Sequence, residues 1–187
     1  MTSGDRKDPS KRGRVFTWLP EHLADARMQV SPRTFLTAWR EAAHFGTPPL
    51  GKAVDHLGLQ EGVRKASEDR LFELKEDYPW IDAALAPLKG RLVPMERCEL
   101  ESIWIESATA ERVVEQSATA GRLAPVQLED ANLPREAALI KALESVGVLE
   151  TRSNGKINLP DIFRVEAGIK RRGGVRPPMN RSSGVSR

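Results

Sequence analysis

The chain has 187 residues, 40% hydrophobic and 29% charged, the length and balance of a globular protein with a real core. One cysteine, Cys98, excludes an internal disulfide framework and a cysteine-based zinc site and suits a reducing cytoplasm. With no apolar run of membrane-spanning length, neither a secretory signal nor a membrane span is expected. The formal net charge of +3 is uneven: five Lys/Arg against two Asp in residues 1–14, seven against one Glu in 164–187, and an acidic stretch between them.

Residues 1–14, "MTSGDRKDPSKRGR", carry little that could be buried and are expected to be disordered. "VFTWLPEHLADA" then reads as a short extended or turn entry broken by Pro20, followed by a turn or two of helix to about Ala26. Ser31 and Pro32 announce a helix, as N-cap and first helical residue. Phe35, Leu36, Trp39 and Ala42/Ala43 follow at helical spacing, and Gly46 ends the run.

A second long helix is expected over Leu57 to Glu76, with Leu59, Val63, Ala66, Leu71 and Leu74 as its apolar stripe. Helix restarts after Pro79 with Trp80, Ile81, Ala84, Leu85 and Leu88, and again from about Met95 to Ile105. "ERVVEQSATAGRL" reads as helix and "APVQLEDANL" as a linker. A helix opened by Pro134 presents Leu139, Ile140 and Leu143 and stops at Gly147. "VLETRSNGKINL" is the one convincing hairpin, with Asn154-Gly155 as a two-residue turn. A last helix is expected over roughly Leu159 to Arg171, before a Gly/Pro/Ser/Arg tail.

"IKRRGGVRPP" looks like half of a phosphate loop. A working loop needs G-x-x-x-x-G-K-[ST] between a strand and a helix, so that backbone N–H groups wrap the phosphates and the hydroxyl holds magnesium. Here Gly173 and Gly174 are followed by Val175, Arg176, Pro177 and Pro178, and the prolines stop any helix that should begin there. The reading adopted is a helix C-cap with Lys170, Arg171 and Arg172 in the last turn. No cofactor is expected.

The expected fold is mainly α: a helical subdomain over 15–106, then a winged-helix-like subdomain over 107–172 with one β-hairpin, flanked by disordered basic tails at 1–14 and 173–187. "VFTWLPEHLADARMQVSPRTFLTAWREAA", "LQEGVRKASEDRLFELKEDYPWIDAALAPLKG" and "GKINLPDIFRVEAGIKRRGGVRPP" resemble the C-terminal region of large bacterial P-loop ATPases of partition-type or AAA/STAND-like kind. The resemblance runs from about Val15 to Pro177, and in that family the region is a helical lid and a winged helix beside the nucleotide domain. This chain lacks a Walker A loop and the length for an ATPase sheet. The resemblance therefore implies a non-catalytic module working with a P-loop ATPase domain or chain, regulating it or relaying its nucleotide state; a stand-alone winged-helix DNA-binding protein is the alternative.

Arg33, in the first turn of the helix capped by Ser31, opposes the helix dipole. The resemblance makes it a candidate for sensing, in trans, a γ-phosphate held by another domain, and Arg27 shares the role more weakly. The other reading of Arg33 is a surface cation paired with an acidic neighbour. For nucleic acid the candidates are Arg152 and Lys156 in the wing and Lys170, Arg171, Arg172 and Arg176 beyond it. Residues 134–163 sum to zero charge, so DNA affinity would draw on the basic segment that follows. His22, His44 and His56 are too widely spaced for a metal site. Cys98 in "MERCELE" has an acidic setting that does not activate a thiol, and Glu73, Glu76 and Asp77 read as a solvated cluster. No catalytic constellation emerges.

Overall fold

The computed structural model describes residues 15–47 and 50–173, and of Val15 and Phe16 the backbone alone. Both tails read above as disordered, apart from Gly173, lie outside the described residues, and Arg176 with them. The described chain is mainly helical: α1 (Val15–Leu23), α2 (Pro32–His44), α3 (His56–Asp77), α4 (Trp80–Leu85), α5 (Arg97–Glu106), α6 (Thr109–Thr119), α7 (Arg135–Ser145) and α8 (Asp161–Arg164). Turns of 3-10 helix at Ala86–Leu88 and Val126–Glu129 extend α4 and precede α7. Four two-residue strands complete it: β1 (Leu92–Val93), β2 (Glu150–Thr151), β3 (Ile157–Asn158) and β4 (Lys170–Arg171).

The stripe read for α3 is the one buried: Leu59, Val63, Ala66, Leu71 and Leu74 all face the core. Asp55 caps this helix, its Oδ1 accepting the Gly58 N–H at 2.8 Å. Helix α2 corrects the expectation. Its buried residues are Thr34, Thr37, Ala38 and Ala42, while Leu36 is 68% exposed. The cause lies on α3, where Gly58 and Gly62 stand four apart on one face. A Cβ on Gly62 would lie 2.2 Å from the Ala38 carbonyl oxygen, and one on Gly58 2.6 Å from that of Ala42. Backbones this close admit only small side chains between them, so Leu36 turns outward while Phe35 and Trp39 pack, partly buried, at the edge of the core.

The extended entry expected before Pro20 is instead helical from Val15, with Pro20 inside α1. Burial of Leu19 and Leu23 offsets the backbone donor that Pro20 lacks. The hairpin also differs. Glu150 pairs with Asn158 and Thr151 with Ile157, and the Arg152 N–H bonds the Lys156 carbonyl. The connection is therefore a three-residue loop, 153–155, closed by Gly155 N–H to the Arg152 carbonyl. Gly155 has φ +78°, the left-handed residue such loops require.

The largest correction concerns the last helix. It ends at Arg164, not near Arg171. Gly168, at φ +68°, reverses the chain, and the Ile169 N–H bonds the Arg164 carbonyl. Lys170 and Arg171 then form β4, parallel to β1, with Leu92 opposite Lys170. Lys170 N–H to Arg91 O (2.8 Å) and Arg172 N–H to Val93 O (2.7 Å) hold the pair. Lys170, Arg171 and Arg172 therefore cap no helix; burial of Ile169 against the core favours strand over helical continuation.

The segment after β1 also meets the hairpin, Met95 bridging Ile157 through two backbone bonds of 2.9 Å. One buried apolar cluster runs from Leu19 through α3, α4, α5 and α7 to Ile169. Within it Ser67 of α3 accepts the Glu166 N–H at 3.1 Å. Trp80 and Trp104 are buried, whereas Trp18 and Trp39 are half-buried. Trp18 stacks on His22 at 4.1 Å, and Trp39 meets Phe35 edge-on at 6.3 Å.

Asp161, the first residue of α8, ties three elements together. Its carboxylate lies 2.6 Å from Arg164 Nε, 3.4 Å from Arg171 Nη1 and 3.4 Å from His22 Nε2, with only 10% of its side chain exposed. Asp161→Asn is expected to lower stability by about 2 kcal/mol, because the enclosed Arg164 loses its counter-charge. Arg171→Ala, at the exposed end, should cost under about 0.5 kcal/mol. Urea unfolding followed by circular dichroism checks both; equal effects would refute the ranking.

Candidate functional site

Helix α7, the hairpin and the loop from α1 to α2 form one neighbourhood. Ala137, Ala138, Leu139, Ile140, Ala142 and Leu143 of α7 are all buried, and the 3-10 turn Val126–Glu129 packs along the helix. What α7 leaves exposed is Arg135, Lys141 and Ser145. Arg135 is held by Glu111 of α6 at 2.6 Å. Glu144 accepts the Thr151 hydroxyl at 2.5 Å, linking the helix to β2.

Arg27 closes the far end of α7. Its Nη2 donates to the Ser145 carbonyl, and the Ala26 N–H bonds the Gly147 carbonyl at 2.9 Å. A guanidinium at the carbonyl end of a helix meets the negative end of its dipole. The loop that presents Arg27 is made rigid by Asp25, whose Oδ1 accepts the N–H groups of Arg27 and Gln29, each at 2.9 Å. Met28 completes the turn at φ +59°.

Arg33 occupies a different element and a different partnership. Its Nη1 lies 2.9 Å from Glu73 of α3, and its side chain is 80% exposed. Arg27 and Arg33, paired in the sequence reading, are thus anchored separately, one on α7 and the other on α3.

Three of the candidate nucleic-acid residues are likewise engaged. Arg152 pairs with Glu150 at 3.2 Å and Lys156 with Glu96 at 2.6 Å. Arg171 reaches Asp161. Lys170 and Arg172 are exposed at the end of β4. Cys98 is exposed, and among the described residues no three His, Cys, Asp or Glu side chains gather as metal ligands. Among the same residues no helix is long and apolar enough to cross a membrane.

A polar cleft of about 280 Å³ opens between the α1–α2 loop, the start of α2, α3 and α8. Asp25, Gln29, Ser31, Thr34 and Arg70 supply its polar wall, with Leu23, Val30 and Ile162 as its apolar side. Sequence reasoning found Ser31 as a cap but missed Arg70 and Thr34. Arg70 is far from Asp25 in sequence, Thr34 sits at the start of the following helix, and no local pattern marks either. No protein-family model, curated protein or solved structure matches the chain.

Proposed function

We propose that this chain is a non-catalytic, cytoplasmic module that docks on a partner protein, and that the partner is a P-loop ATPase whose activity it regulates or relays. Helix α7 followed by the β2–β3 hairpin has the order of a winged helix. The observation that carries the docking reading is the covering of α7. A helix that reads DNA must offer a face of side chains to the major groove, and here the 3-10 turn, the core and the Arg27 loop enclose most of that helix. The cations of the hairpin already face carboxylates, so little uncompensated charge remains there to displace counterions from phosphates. The ATPase as partner rests on the sequence resemblance, as does any part played by Arg33 toward a nucleotide.

The DNA-binding alternative draws on the exposed loop 153–155 and on the exposed Lys170 and Arg172. Two measurements separate the readings. Fluorescence anisotropy with a 30-base-pair duplex should show binding at 50 mM salt that is lost by 150 mM, without sequence preference. Addition of the chain to a purified Walker A ATPase encoded beside its gene should change the rate of ATP hydrolysis severalfold. Sequence-selective duplex binding that survives 150 mM salt, with hydrolysis unchanged, would replace docking with DNA recognition.

A further inference from the structure

We infer that the cleft at the start of α2 binds a small oxyanion, a phosphate or a carboxylate group. Ser31, the N-cap, has extended backbone geometry, and its side chain makes no capping bond. Pro32 has no N–H, and the Arg33 and Thr34 N–H groups find no acceptor among the described residues. A thirteen-residue helix therefore presents unsatisfied donors and the positive end of its dipole to the cleft.

Thr34 supplies the independent sign of a ligand. The residue is only 6% exposed, its hydroxyl makes no hydrogen bond to any described residue, and it borders the cleft. No fully enclosed side-chain oxygen among the described residues lacks a partner, so this hydroxyl retains an opening, and the cleft is the space beside it. Arg70 adds charge. Its Nη1 touches Glu73 at 3.4 Å, leaving Nε and Nη2 without a described partner.

Asp25 also lines the cleft and limits what fits. Its Oδ1 is occupied by two backbone N–H groups, but the carboxylate still disfavours a dianion. The group that fits is a singly charged oxyanion, such as dihydrogen phosphate, which can offer a proton to Asp25.

The test is an amide NMR titration of the full chain with inorganic phosphate near pH 6, at constant ionic strength. Saturable shifts are expected at Gln29, Val30, Arg33, Thr34 and Arg70, with a dissociation constant on the order of 1 mM. Arg70→Gln should weaken binding about tenfold and Thr34→Val about threefold, the latter with an unchanged fold because valine has threonine's shape. Acetate in a parallel titration distinguishes the planar from the tetrahedral group: saturation by either supports the site, and the tighter names its class. Linear, scattered shifts with both anions, or saturation unaltered by both substitutions, overturn the inference.

Discussion

Gly62→Ala should destabilise the protein by about 2–3 kcal/mol and lower its melting temperature by roughly 5–10 °C. Taken alone, α3 would gain from the change, since alanine is favoured over glycine in a helix interior by about 1 kcal/mol. The added Cβ, however, falls 2.2 Å from the Ala38 carbonyl oxygen and 3.3 Å from the Ala42 Cβ. The first of these is a backbone atom within α2, so no rotamer change relieves it. The two helices must separate, and every contact along their shared face loosens.

Gly58→Ala should act in the same direction and more mildly, at 2.6 Å from the Ala42 oxygen. Leu36→Ala, on the outward face of α2, should change stability by less than about 0.5 kcal/mol. Thermal unfolding by circular dichroism decides the matter. A rise in melting temperature for Gly62→Ala would mean that helix propensity outweighs the contact, and that α2 and α3 are not closely packed.

Trp104→Ala should cost about 3–5 kcal/mol, the range for emptying a large aromatic site in a core. The residue is fully buried, and its indole Nε1 donates to the Ala84 carbonyl of α4 at 3.0 Å. It therefore both fills volume and joins α5 to α4. Trp104→Phe separates the two effects. It keeps an aromatic ring but loses the donor, and a loss of about 2 kcal/mol is expected from the unmet carbonyl and the smaller ring together. Guanidinium unfolding followed at 222 nm measures both. If phenylalanine proved as costly as alanine, the hydrogen bond rather than the volume would be the dominant contribution.

Helix positions were legible wherever burial follows one face of a long period. Leu59, Val63, Ala66, Leu71 and Leu74 show it on α3, and Leu139, Ile140 and Leu143 on α7. The hairpin was legible because Asn154-Gly155 has few other uses between alternating residues, although its loop proved one residue longer. The polar cleft was not legible at all. Its donors come from the start of α2, the α1–α2 loop and the middle of α3, and proximity among them exists only after α2 and α3 have packed.

What the amino-acid order determined by itself was local: that the long segments of α2, α3 and α7 are helical, where Pro32 opens α2 and Gly147 follows α7, and which residues of α3 turn inward. Those outcomes depend on backbone propensity and on spacing within a few turns. The tertiary structure alone decided which face of α2 is buried, because that depends on two glycines of another helix. It alone also decided that Lys170 and Arg171 form a strand. Their apolar neighbour Ile169 is drawn into the core, and the backbone of Arg91 and Val93 supplies acceptors that an isolated segment lacks. A short stretch near the helix–strand balance takes the form whose hydrogen bonds and burial its surroundings complete.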